Sequence, residues 1–260
     1  MSVPWKLRQY LSHLRKARGP FRLHSPFVFT FHQRVLRGRG LPSPPPLLQG
    51  LRREWLQDKA LITHHPLGCA EGRELSEPVA QLARRTAISG GDTRRLFHLA
   101  AFLKPRTVLD LGSGLGFSAL ALALGAPQAR VLSLEGDAAV HALAVERLSP
   151  LAPPGLRFLQ GAFRELLPEL LEGPGRPDLV FLDGDHRQEE TIYLGQLILP
   201  RLSRHGVLAI HDIHASEGML GAWERLREMP EVTVSLTTWS TGFLFVNESL
   251  STQHFRLRSW

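Results

Sequence analysis

Thr107–Asp110, Val131–Glu135, Leu156–Gln160, Leu179–Asp183 and Val207–His211 are short, largely apolar runs, each ending on an acid, an amide or a histidine. Runs of this length bounded by turn residues predict buried strands. Helical patterns lie between them, the first an uncharged Ala/Leu stretch from Ser118 to Leu124. Strand and helix in alternation predict a parallel sheet wound on both faces. After a helical pattern at Glu217–Glu228, two further strand-like runs, Val232–Thr238 and Phe243–Val246, are separated only by Trp239-Ser240-Thr241-Gly242, short enough for a hairpin. The expected fold is therefore α/β: a doubly wound, mostly parallel seven-stranded sheet ending in an antiparallel hairpin strand, with a helical N-terminal extension.

Upstream of Thr107 the periodicity is helical at Leu51–Lys59, Glu77–Arg85 and Thr93–Leu103, the last entered through Gly90-Gly91-Asp92 and closed before Pro105. The segment Arg37–Pro46 carries too many prolines and glycines for regular structure and predicts a linker or a surface strap. Further back, Leu7, Tyr10, Leu11 and Leu14 recur at helical spacing with Lys6, Arg8 and Arg15 between them. This divides the chain into a basic extension with a Pro-rich linker (1–50) and a main domain (51–260), the latter a helical lead-in (51–106) followed by the sheet (107–247).

Charge sharpens that division. Residues 1–53 hold eleven Lys or Arg and no acid, so the net +7 of the 260-residue chain leaves the other 207 residues at −4. A basic amphipathic helix lies on an anionic membrane or a nucleic acid, or docks its apolar stripe on its own domain; docking is the expectation here. The single cysteine, Cys69, excludes an intramolecular disulfide, and no Cys/His spacing fits a zinc site, which points to a cytoplasmic protein. Met1–Pro20 lacks the apolar core of a secretory signal. The uncharged stretch Leu111–Ala129 is interrupted by glycines and a proline, so no membrane span is expected.

The chemistry concentrates where the first strand turns into its helix, at Asp110-Leu111-Gly112-Ser113-Gly114-Leu115-Gly116. Glycines there permit backbone angles closed to other residues and let the chain approach a nucleotide-like ligand. The spacing is G-x-G-x-G with an acid two residues ahead, rather than the dinucleotide G-x-G-x-x-G. It resembles motif I of class I S-adenosylmethionine-dependent methyltransferases. The resemblance implies that Gly112, Ser113, Gly114 and Gly116 cradle the methionine part of the cofactor, with Asp110 organising the turn or reaching the amino group through water. Glu135, at the end of the next strand, stands where a carboxylate accepts the ribose hydroxyls. Asp137 reads as the N-cap of the following helix. Gly161 and Ala162, after Gln160, occupy the position of the family's adenine contact.

Two strand ends, Asp183-Gly184-Asp185-His186 and His211-Asp212-Ile213-His214, gather polar groups where doubly wound sheets bind ligands. Over roughly residues 75–247 they resemble the catechol and caffeoyl-CoA O-methyltransferases and the antibiotic-tailoring O-methyltransferases. In the first group an aspartate ending the fourth strand binds a divalent metal, a lysine three residues on is the base, and an Asp-Asn pair ends the fifth strand. Asp183 and Asp212 match the metal-binding aspartates, Asp183 also lying beside the methyl donor, and His186 stands in the lysine's place. Ile213 replaces the asparagine and cannot ligate, so a site for Mg or Mn would draw on His211, His214 or Asp185. The alternative is that His211 and His214 bond to backbone with no metal. An imidazole at 186 would take a proton near neutral pH. Leu23-His24-Ser25-Pro26-Phe27-Val28-Phe29, with Arg73 and the helix beyond, is similar to an uncharacterised bacterial group of these enzymes with an HSPFVF leader.

The expected activity is transfer of a methyl group from S-adenosylmethionine to a small-molecule hydroxyl, with His186 and Asp183 catalytic. Methylation of RNA or protein guided by the basic leader is one alternative, although the Asn/Asp-Pro-Pro-aromatic motif of many base N-methylating enzymes is missing. A cofactor-binding or membrane-associated adaptor without catalysis is the other.

Overall fold

The computed structural model describes residues 3–66, 74–173 and 175–258; Cys69 and Arg73 lie outside them. The leader forms α1 (Val3–Lys16) and α2 (Pro26–Phe31), which runs on into a wider turn through Leu36. Then follow α3 (Pro46–Gln57), a hairpin of β1 (Leu61–His64) and β2 (Leu75–Pro78), α4 (Val79–Thr86) and α5 (Gly90–Leu103). The alternating half comprises β3 (Thr107–Leu111), α6 (Phe117–Gly125), β4 (Arg130–Glu135), α7 (Ala138–Leu148), β5 (Leu156–Gln160) and α8 (Phe163–Glu172). It continues through β6 (Leu179–Leu182), α9 (Gln188–Ile198), β7 (Val207–His211) and α10 (Glu217–Arg227) to β8 (Val234–Thr237), β9 (Thr241–Phe245) and β10 (Gln253–Arg256).

The main sheet has eight strands in the order β10-β8-β9-β7-β6-β3-β4-β5, not the seven expected. Only β9 runs antiparallel to its neighbours, pairing with β7 and β8 as the hairpin spacing implied. The extra strand, β10, adds parallel to β8, Gln253 opposite Val234. Its sequence, Gln-His-Phe-Arg, has a single apolar residue, so the pattern gave no signal. The small β1–β2 sheet also escaped notice. There the helix expected from Glu77 starts two residues later, because Glu77 belongs to β2 and pairs with Ile62.

Strand order reverses between β3 and β6, which places the mouth of the fold over the carboxyl ends of β3, β4, β6 and β7. The core lies on both faces of the sheet. Helix α6 is apolar all round because it is enclosed all round: Phe117 through Ala123 are buried. It packs so closely on α5 that a Cβ on Gly125 would fall 2.4 Å from the Phe97 carbonyl oxygen.

The leader is part of this core. Phe31 is fully buried, its ring 5.1 Å from Phe243, 5.7 Å from Phe245 and 6.3 Å from Phe102. Burying one such ring stabilises by about 1.5–3 kcal/mol. Arg18 donates its backbone N–H to Arg256, and Arg258 donates to Arg18, which ties the end of α1 to the sheet edge. Gly38 of the strap packs against the His98 ring of α5.

Candidate active site

A cavity of about 1150 Å³ opens over the strand ends. One half is built by backbone. Gly112 and Gly114 line it with φ of +91° and +50°, in the left-handed region that glycine enters without strain. A Cβ on Gly112 would lie 2.7 Å from the Gly184 backbone, so the turns after β3 and β6 touch. Glu135 accepts from the Gly114 N–H at 2.7 Å and the Asp137 N–H at 3.0 Å. Burial pushes its carboxyl above the ordinary value, against the pull of those donors. Gly161 and Ala162 line the same half.

Asp110, Ser113 and Gly116 stand behind that wall. Asp110 is fully buried and accepts from Ser133 at 2.9 Å and Ser118 at 3.1 Å. Desolvation outweighs those bonds and pushes it up to about 7. Ser113 is buried and donates its N–H to Leu134, and Gly116 caps α6 against Leu148. Asp137 caps α7, accepting from Ala139 and Val140.

The other half is built by side chains. Asp183, His186 and Asp212 each offer a ligand atom within 4.8 Å of the others. Neither His186 ring nitrogen makes a hydrogen bond among the described residues, and its Nε2 stands 3.6 Å from Asp183. Asp185, by contrast, is paired with Arg187.

His211 is not brought into this cluster as a ligand, contrary to expectation. Its Nδ1 bonds Asp183 Oδ1 at 2.8 Å, and its Nε2 faces Asp92 at 3.7 Å, an ion-pair distance. Burial alone would lower its pKa, but Asp183 and Asp92 overcome that and raise it to about 11. With Nδ1 engaged by Asp183, His211 braces that carboxylate from beside the cluster. His214 also turns away, bonding the Trp239 carbonyl at 2.9 Å and stacking on that ring, as the backbone-bonding alternative foresaw.

Asp92 was missed as a site residue. It sits in the first turn of α5 and accepts from Ser89 at 2.6 Å, Ser240 at 2.8 Å and Arg95 at 2.7 Å. Burial would raise its carboxyl, but His211, Ser89 and Ser240 hold it well below the ordinary range. Ser89-x-x-Asp92 ahead of a helix was a readable capping pattern. A second missed group is His64, buried at the cavity edge, with Nδ1 3.1 Å from Asp137 and Nε2 3.1 Å from Glu77. It fastens the β1–β2 hairpin to the start of α7.

Residues 109–213 match the family described as Methyltransferase domain. They hold β3 through β7, the glycine turn and both acidic strand ends. The central region is thus similar to methyltransferase domains. Sequence similarity reaches the catechol O-methyltransferase of Mycobacterium tuberculosis, 34% identical over 132 residues, or 49% of this chain and 57% of that relative. The chain thus spans little more than half the length of that relative. Among solved structures, the methyltransferase fold is shared with cofactor-bound Rv0187 from MTB at 22% identity and TM-score 0.59, covering 87% of this chain and 99% of that one. It is shared also with the O-methyltransferase TomG of Streptomyces achromogenes, solved with S-adenosylmethionine, at 20% identity and TM-score 0.54, covering 65% and 87%.

Proposed function

We propose that the protein transfers a methyl group from S-adenosylmethionine to a hydroxyl oxygen of a small-molecule acceptor. One observation carries this reading: a single cavity runs from the glycine turn and Glu135 to the cluster of Asp183, His186 and Asp212. S-Adenosylmethionine supplies an electrophilic methyl group on a sulfonium sulfur. The residues fit it, since Gly112 and Gly114 present bare backbone and Glu135 offers a carboxylate for the ribose hydroxyls.

Asp183 and Asp212, with His186 as third ligand, would hold a divalent cation such as Mg or Mn. A cation there supplies acidification of a coordinated hydroxyl. Without one, the unbonded imidazole of His186 takes the acceptor proton itself. In both cases Asp183 stays fixed by His211, and the wall of the cavity keeps the acceptor oriented.

The acceptor is small, and the similarity to a catechol O-methyltransferase makes catechols the first to try. A cytoplasmic location belongs to this reading; among the described residues no helix is long and apolar enough to cross a membrane. The eleven basic residues of the leader support contact with an anionic surface as well.

The test is calorimetry with S-adenosylhomocysteine and with NAD, followed by methyl transfer to a catechol panel with and without chelator. Heat from S-adenosylhomocysteine alone, with turnover, is expected. Binding of NAD without binding of S-adenosylhomocysteine would overturn the reading. Turnover that survives proven metal removal would assign the proton to His186 alone.

A further inference from the structure

Part of the stripe that makes α1 amphipathic faces away from the protein: Tyr10 packs edge-on against Trp239 and Leu14 is half-buried, but Leu7 and Leu11 do not join them. Trp5, His13 and Ala17 turn inward, with 7%, 1% and 5% exposure, whereas Leu7 and Leu11 stand 55% and 45% exposed. Pro4, Leu7 and Leu11 fall along one side of the helix and share a shallow groove with Arg8 and Arg15. Docking of the leader is therefore achieved by α2 and by the opposite face of α1. Leu7 and Leu11 are left over.

We propose that this outward face of α1 seats on an anionic lipid surface. Charge decides the occupant. Arg8, Arg15 and Lys16 line the same groove as these leucines, all exposed and without an ion pair among the described residues. Nor do the first 53 residues contain an acid to neutralise them. Cations flanking exposed leucines match a headgroup layer over acyl chains. Phe21, 98% exposed between Arg18 and Arg22 in the turn after α1, adds an unburied aromatic ring to the same segment.

A nucleic acid would satisfy the cations and leave Leu7 and Leu11 unpaired. A second copy meeting this face about a two-fold axis would set like charges against like. With 14 residues, α1 is about 21 Å long, too short to cross a bilayer, so it lies in the plane of the surface.

The proposal rests on the anionic-surface reading of the leader and is independent of methyl transfer. It is tested by sedimenting the full chain with phosphatidylcholine vesicles, with and without phosphatidylglycerol, at low and high salt. Wild type is expected to pellet only with the anionic vesicles. Arg8→Gln/Arg15→Gln should weaken this roughly thirtyfold. Leu7→Ser/Leu11→Ser should weaken it roughly tenfold or more even at low salt, with unchanged thermal melting because both side chains are already exposed. Equal pelleting by wild type and the leucine variant, or none by wild type, overturns the proposal. So does a dimer that the leucine variant dissociates. Retention of homopolymer RNA without pelleting on vesicles overturns it too, while leaving the anionic-surface reading intact.

Discussion

The two halves of the cavity are made differently. Around Gly112, Gly114 and Glu135 the wall is backbone, its shape fixed by left-handed glycines and by N–H groups donated to one half-buried carboxylate. Around Asp183, His186 and Asp212 the wall is side chain, and Asp212 there is half-exposed at 49%. A backbone wall suits a ligand that never changes, and a side-chain wall suits the part of a reaction that varies with the acceptor.

The sharpest test of that division is His186→Ala. Loss of a positioned base or ligand should lower turnover about 10²–10⁴-fold, while the affinity for S-adenosylhomocysteine measured by calorimetry stays within about twofold of wild type. A comparable loss of affinity would mean that the halves are not separable.

Next in size is a pH effect from behind the backbone half. Asp110 ionises near its ordinary 3.8 in the unfolded chain but only near 7 when folded. The native state therefore holds a proton that the unfolded chain releases, and stability falls as pH rises from about 4 to about 7, by an amount on the order of 2–4 kcal/mol. Below the ordinary value both states are protonated and nothing is lost. Urea unfolding of Asp110→Asn across this range should lack that part of the decline, and parallel curves for the two proteins would contradict the assignment.

Gly112→Ala should cost about 2–4 kcal/mol, combining left-handed strain with the clash against Gly184. Gly114→Ala should cost only about 1 kcal/mol, because its Cβ would meet nothing nearer than Thr86 at 3.7 Å. Denaturant melts order the two, and a reversed order would break the picture of turns in contact.

The last effect expected is kinetic and lies on the side-chain half. Asp92→Asn removes the charge facing His211 Nε2 and should lower kcat about tenfold with little change in KM. A change in KM alone would assign Asp92 to acceptor binding instead.

How much of this could be read from the chain also differs between the halves. The glycine turn is local: Gly112 and Gly114 are close in sequence, Glu135 ends the next strand, and the apolar runs either side of them announce strand and helix. The acceptor half is assembled from afar. Ser240 and Asp92, 148 residues apart, meet beside His211, and no spacing in the sequence carries that pairing. Nor does any spacing show that His211, expected among the metal ligands, bonds Asp183 through Nδ1 with its Nε2 facing Asp92. The edge strand β10 was illegible for another cause. It gains its place from the backbone of β8 and from Arg18 rather than from an apolar pattern of its own.

The leader has a practical consequence for anyone who would trim it. Tyr10 and His13 of α1 lie 4.9 Å and 6.0 Å from the Trp239 ring, and the next residue, Ser240, holds Asp92. From there the chain of contacts runs through His211 to Asp183. A protein shortened to residues 51–260 would keep every residue of its reaction centre and lose the backing of the loop that aligns them. Measurements on it would report on a site whose backing differs from that of the full chain.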